Sequence, residues 1–438
     1  MRLFAILAVA FSILGAGFAQ KLAPPADPAQ VTVIRAGTLI DPRADAPLHN
    51  QLIVIRGDKV ESVGGAAAHI PTGAKLIDLS HATVLPGLTD CHTHILLQGE
   101  DPAEGGYDVN ILKYPLGLRA ARGTVAVRRA LEEGFTTLRD METEGAGYLD
   151  VGIKQAIREG YIPGPRLLVS TLAISTTGGY PLEGYAPELT MPKGVQIVDG
   201  PVEARRAARQ QLDHGADWIK VYMTHRSWVD KQGNLVSQPT LTVEELKAIV
   251  DETHGWQKKV ACHAYGGIGL HRALDGGCDS IEHGLDLDDA AIAQMKRQGT
   301  WYVPTLSVYY TDWAPAGTFD GQRDRKRASD HEVSFKKARA AGLKIAFGTD
   351  MGGIKWSEPI AQEFGRMVQF GMPPLEAIRS ATTRAAQLLD MQGEIGVIAP
   401  GAYADIIAVP GDPLGDIHQL EHVSFVMKGG QVYKNDVK

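Results

Sequence analysis

The middle of the chain alternates short apolar runs with amphipathic stretches, and this alternation restricts the fold more than any other feature. Eight runs read as strands: 83–89, 135–139, 166–171, 217–223, 259–264, 280–283, 301–305 and 344–348. Helical periodicity fills the gaps, for example at 202–214, 243–255 and 331–341. Strands that alternate with helices build parallel βα units, and eight such units predict an α/β architecture closed as a (β/α)8 TIM barrel over 83–397. In that architecture the reactive groups sit at the C-terminal ends of the strands, so residues there carry the functional expectation.

The two ends of the chain differ from the middle. Short β-type segments at 31–35, 51–56, 59–63 and 75–78 are separated by Gly, Asp and Pro turns, and a matching set at 405–409, 423–428 and 431–433 closes the chain around the hairpin signal Gly429-Gly430. These segments, 31–82 and 398–438, are expected to complete one small β-sandwich. A Pro-rich linker, 20–30, precedes them. Before it, Arg2 supplies a positive start, residues 3–14 are almost wholly apolar, and Gly17-Phe18-Ala19 offers small residues for cleavage near Ala19-Gln20. That is the pattern of a removed secretory signal over 1–19, and it implies export to a periplasm or the medium. No later segment is long and apolar enough to hold the exported chain in a membrane.

A formal charge of −7 over 438 residues leaves no basic face for phosphate backbones, so nucleic acid is not an expected partner. The three cysteines make an odd number, so at least one stays unpaired within the chain. Cys91 and Cys262 immediately precede His92 and His263. Strand alternation turns their thiols away from any site those histidines build, and both read as buried structural thiols.

His92-Thr93-His94 follows the first strand, and the two-residue pleat period places both imidazoles on one face. Alone, such a pair is a common coincidence. Here His263 ends the fifth strand, His283 ends the sixth, and Asp350 lies just past the eighth. Four imidazoles and a carboxylate at one barrel mouth are ligands of the type zinc prefers. Lys220 is different, because an ammonium has no lone pair. It lies in the apolar run Trp218-Ile219-Lys220-Val221-Tyr222, where burial lowers its pKa. The free amine is then open to carbamate formation with CO2, although an ion pair with a nearby carboxylate also explains a strand-end lysine. Tyr222 shares the face of Lys220 and reads either as a substrate contact or as a barrel-wall residue. Beyond it, His225 and Arg226 form a polar tail able to receive a carboxylate.

These motifs together resemble the amidohydrolase superfamily, in its imidazolonepropionase-like branch of Xaa-Pro dipeptidases and ochratoxinase-like N-acyl amino acid hydrolases. The resemblance runs from about Val31 to Val432. It is carried by Leu85-Pro86-Gly87-Leu88-Thr89-Asp90-Cys91-His92-Thr93-His94, Gly134-Phe135-Thr136-Thr137-Leu138-Arg139-Asp140, Ala216-Asp217-Trp218-Ile219-Lys220-Val221, Cys262-His263-Ala264, Ile281-Glu282-His283-Gly284 and Phe347-Gly348-Thr349-Asp350.

The resemblance implies two divalent metal ions of the zinc type. His92, His94 and Asp350 would hold one, His263 and His283 the other, and a carbamate on Lys220 would join them. Asp350 would move the proton from the attacking water to the leaving amine. Relatives often carry Gly-Gly-His-Gly after the third strand, whereas this chain has Gly178-Gly179-Tyr180-Pro181, which puts Tyr180 on the substrate side.

The implied activity is hydrolysis of an amide to a C-terminal amino acid, in a dipeptide or an N-acyl amino acid. Hydrolysis of a cyclic amide, as in imidazolonepropionase or hydantoinase, is the alternative. A binding protein that kept the fold is a third reading, and it would be marked by a lost ligand. The partners implied are a small-molecule or dipeptide substrate and further copies of the chain in a homo-oligomer.

Overall fold

The computed structural model describes residues 29–437, apart from 183 and 311–313. The expected signal at 1–19 and nearly all of the linker lie outside the described residues. No described helix is long and apolar enough to cross a membrane.

The two chain ends meet as the sequence suggests, but in one sheet and not in a two-layer sandwich. Its strands are Val31–Leu39, Leu48–Arg56, Lys59–Gly65, Lys75–Pro86, Ile406–Val409, Phe425–Lys428 and Gln431–Asn435. Lys75–Pro86 joins the two sets, pairing parallel with Val31–Leu39 on one side and antiparallel with Ile406–Val409 on the other. Because this strand bridges the sets, seven strands form a continuous ladder. Ile34, Ile53, Leu79, Ile406, Phe425 and Met427 come from strands across the whole order yet share one buried cluster, so the sheet curls around its apolar face. Val60 N–H donates to the Ala402 carbonyl at 2.9 Å, and Gly401 N–H to the Val60 carbonyl at 2.9 Å, which ties the far edge back to the sheet.

The run expected as the first barrel strand is divided between two structures. Residues 83–86 pair with Ile406–Val409 in the terminal sheet, and the inner strand is Leu88–Thr93. Gly87 sits at the break, where a Cβ would collide with the Thr136 side chain. Parallel strands then form two arcs. One contains Leu88–Thr93, Phe135–Asp140 and Arg166–Val169. The other contains Trp218–Tyr222, Lys259–Gly266, Ser280–Asp286 and Trp301–Val303, with Ile174–Ser175 and Gln196–Ile197 added at its edge.

Single backbone bonds cross between the arcs, from Asp217 N–H to the Val169 carbonyl at 2.8 Å and, through residues 346 and 347, from Ala346 N–H to the Tyr302 carbonyl at 3.0 Å and from Cys91 N–H to the Phe347 carbonyl at 2.9 Å. The molecule is therefore mixed α/β with a barrel-like core, and no closed eight-stranded ladder exists among the described residues. The expected eighth strand makes only an isolated bridge, Tyr302 with Ile345. Lys344 and Ala346 both bond to Tyr302, while Phe347 bonds to Cys91 and Ser380, so only one pair forms on the Tyr302 side.

Two elements escape apolar periodicity. The helix Phe319–Ala340 begins well before residue 331, capped by the Thr318 hydroxyl, because its first turns are charged rather than patterned. A hairpin, Thr224–Val229 with Leu235–Pro239, follows Lys220, where the sequence suggested only a polar tail. Cys262 and Cys278 form a disulfide, and Cys91 is free and buried. Cys91 also departs from expectation in its surroundings. It clusters with Trp218, Ala261 and Val303, and strand alternation puts Trp218 and Ala261 on the face that carries Lys220 and His263. Register shifts in Leu88–Thr93 break the simple alternation there.

Candidate metal centre

The sequence-predicted ligands stand on the strands of the two arcs or just beyond them, with Lys220, His263 and His283 inside their strands rather than at the ends the sequence suggested. His92 lies within Leu88–Thr93, Lys220 within Trp218–Tyr222, His263 within Lys259–Gly266 and His283 within Ser280–Asp286. His94 and Asp350 follow their segments directly. The backbone bonds Asp350 N–H to His92 at 2.8 Å and His94 N–H to Met351 at 2.7 Å clamp the two segments together. His283 and Asp350 adopt positive φ, 73° and 62°, a conformation that non-glycine residues rarely take and that the surroundings must enforce.

The side chains converge. Asp350 Oδ1 is 3.0 Å from His94 Nε2 and 3.6 Å from His92 Nε2, and Asp350 Oδ2 is 3.9 Å from His283 Nδ1. Lys220 Nζ is 3.3 Å from His92 Nε2. His263 packs ring against ring with His283, centroids 4.4 Å apart. The ligand atoms of His92, His283 and Asp350 lie within 4.8 Å of one another, close enough to share one ion. His263 stands outside that set, yet its Nε2 is buried with no hydrogen-bond partner, an arrangement that a metal would relieve.

The electrostatics suit ligation. Burial, with Lys220 beside it, pushes His92 down to about 4. Burial likewise holds His263 and His283 well below the ordinary histidine range, so all three imidazoles are neutral as a metal requires. Burial opposes charge on Asp350, but the His94 hydrogen bond and the neighbouring imidazoles outweigh it and hold the carboxyl well below its usual range. Burial also lowers Lys220, against the pull of Glu282 and Glu142.

Several supporting residues were not singled out from sequence. Glu282 accepts from His92 Nδ1 at 2.7 Å, and Arg139 donates to Glu282 at 2.8 Å. A charged residue next to a histidine in Ile281-Glu282-His283, inside a buried strand, was the available signal. Glu142 and Glu144 follow Phe135–Asp140 and gather with His94 into a second set within 4.8 Å. Their place just past a strand end could have revealed them. Tyr107 and Tyr180 both donate to Glu144, at 2.6 and 3.1 Å.

The candidate substrate contacts divide. Tyr180, His225 and Arg226 line a cavity of about 900 Å³ at the mouth. Tyr222 does not line it, and its hydroxyl donates to Glu142 at 2.7 Å. Burial first, then Arg327 and Arg226, press His225 down to about 3, so it offers no positive charge. Arg323 and Arg327 of the helix Phe319–Ala340 line the same cavity and were missed with the start of that helix.

The model of the amidohydrolase family matches residues 83–434. Ochratoxinase of Aspergillus niger is 34% identical over 441 residues, covering 93% of this chain and 88% of that protein. Imidazolonepropionase of Nocardia farcinica is 26% identical, covering 83% and 86%. Among solved structures, an Xaa-Pro dipeptidase with methionine bound in its active site superposes with a TM-score of 0.83 at 34% identity, covering 93% of this chain and all of that one. The likeness extends over the terminal sheet as well as the core, which makes the fold TIM-barrel-like with an additional domain.

Proposed function

The chain belongs to the amidohydrolase family, and from that premise we propose that it hydrolyses the amide bond to a C-terminal amino acid in dipeptides or N-acyl amino acids. The observation that carries this reading is the convergence of His92, His283 and Asp350 beside Lys220 in a barrel-like core. Similarity to proteins named ochratoxinase and Xaa-Pro dipeptidase supports the linear amide over the cyclic one, since both exceed the 26% identity to imidazolonepropionase.

In this reading His92, His94, His263, His283 and Asp350 would hold two divalent ions, with a carbamate on Lys220 as a further ligand. Zinc suits the nitrogen-rich donor set. The chemistry such ions supply when bound is polarisation of a carbonyl and acidification of a water. Glu282 can only accept, so it fixes the proton on His92 Nδ1 and leaves Nε2 for ligation. Asp350, ionised and central, takes the proton of the attacking water and delivers it to the departing amine. The two parallel arcs serve as one (β/α)8 barrel with 344–348 as its eighth stave. The mature chain starts near Gln20, is exported, and works as a homo-oligomer.

Amine release by metal-loaded protein from dipeptides, N-acyl amino acids and cyclic ureides tests the proposal. Release from linear substrates is expected. Turnover confined to cyclic ureides would replace this reading with the cyclic amide one.

A further inference from the structure

We propose that Glu100 and Arg327 receive the two charged ends of an unblocked dipeptide, Glu100 its α-ammonium and Arg327 its α-carboxylate, an inference that rests on the amide-hydrolase reading of the same site. The argument begins with a cavity of about 220 Å³ whose wall contains Asp350, Glu100, Tyr265, Arg323 and Arg327. Pockets for larger ligands run from ~300 Å³ upward, so this inner space fits a small occupant. Asp350 marks the reacting end, and acidic and basic side chains stand beside it.

Glu100 is held in place by its backbone. Gly99 N–H donates to Gly352 at 2.7 Å and Glu100 N–H to Gly353 at 3.1 Å, which fastens the loop to the turn that follows Asp350. Among the described residues the Glu100 carboxylate makes no hydrogen bond and no ion pair. Burial, together with repulsion from Glu144 and Asp350, raises its pKa to about 8 despite Arg327.

Arg327 is anchored differently. Its Nε donates to Ser227 Oγ at 2.7 Å, its guanidinium lies over the Tyr265 ring at 5.2 Å, and its ion pair with Asp324, which lines the same cavity, is long, at 3.8 Å. Arg323, by contrast, is engaged by Asp320 at 2.8 Å and Asp324 at 2.9 Å. Glu100 and Arg327 share a cavity wall without closing on each other, so Glu100 remains open to an ionic partner of the substrate and Arg327 can exchange its long contact with Asp324 for a closer one. In a dipeptide the ammonium sits one carbon before the scissile carbonyl and the carboxylate one carbon after the leaving nitrogen. The two charges therefore flank the bond, and an N-acyl amino acid lacks the first of them.

The test compares an alanyl dipeptide, its propionyl analogue with hydrogen in place of the ammonium, and its C-terminal amide. Each is offered to zinc-loaded wild type, Glu100→Gln and Arg327→Met, with metal content and circular dichroism recorded for the variants. Wild type should favour the free dipeptide over the propionyl analogue by about tenfold or more in kcat/KM, the scale of one charge-assisted contact. Glu100→Gln should bring that ratio close to one, chiefly through KM, and leave the preference over the amide in place. Arg327→Met should do the reverse. Equal turnover of dipeptide and propionyl analogue by wild type overturns the ammonium receptor and leaves the amide-hydrolase reading standing. An unchanged ratio in a folded Glu100→Gln variant overturns the assignment of that residue, and no turnover of any of the three overturns inference and reading together.

Discussion

The two flanks of the candidate metal centre are held in different ways. On one flank His92 is gripped by Glu282, which is itself gripped by Arg139 at 2.8 Å and Ser280 at 2.5 Å, while His94 lies 3.0 Å from Asp350. On the other, His283 has a neutral hydroxyl partner, Thr305 at 2.7 Å. His263 is surrounded by rings, Tyr265 at 4.5 Å and Tyr222 at 4.6 Å, and its Nε2 is unpartnered. A ligand braced by a chain of charges keeps its aim without an ion, whereas one packed only among rings relies on its occupant. Preorganisation thus resides mainly at His92, on the flank that also holds Asp350, although His94 Nδ1 there has no hydrogen-bond partner either.

The sharpest way to break this contrast is at Asp350. In Asp350→Asn an oxygen ligand remains but the proton acceptor is gone, so kcat should fall by ~10²- to 10⁴-fold. Metal content measured on the same sample separates lost chemistry from lost ions. Wild-type kcat with full metal would assign the base elsewhere.

Next comes Glu282→Gln, which keeps the shape and removes the charge that orients His92. Loss of such an orienting partner lowers metal affinity or activity by ~10- to 100-fold. Thr305→Val removes the corresponding support from His283 and should give a smaller loss, because a neutral hydrogen bond is weaker than a charge-assisted one. Metal titration of the two variants side by side reads the difference, and equal losses would erase the contrast between the flanks.

The smallest effect concerns the terminal sheet. Burial, aided by Arg166, lowers Lys428 from 10.5 to about 8 in the folded chain. The unfolded chain binds the extra proton between those values, so this group adds stability as pH rises from about 8 to 10.5 and withdraws it as pH falls through that window. Thermal unfolding of wild type and Lys428→Met across this range should show a wild-type gain that the variant lacks. Parallel curves would show that Lys428 is charged in the fold.

The histidines were legible because His263, His283 and His92-Thr93-His94 each follow a strand-like segment, although the strands of His263 and His283 run on to Gly266 and Asp286, beyond the ends that patterning suggested. Asp350 was legible by position, although the strand before it is not a ladder. The curled single sheet was not legible, since strand patterning states which faces are apolar and not that Lys75–Pro86 pairs on both sides. Arg327 and Glu100 were missed for a related reason. One lies in a helix whose first turns lack apolar periodicity, the other in a loop set by backbone bonds to Gly352 and Gly353 that no local pattern encodes.

The central claim is that this site hydrolyses amides by means of bound divalent ions. Elemental analysis of zinc-reconstituted protein, with amine release from a dipeptide followed on the same sample before and after chelation, tests it most directly. Close to two ions per chain, activity abolished by the chelator and regained on adding zinc, is the result expected. Undiminished amine release from protein stripped of metal would contradict it.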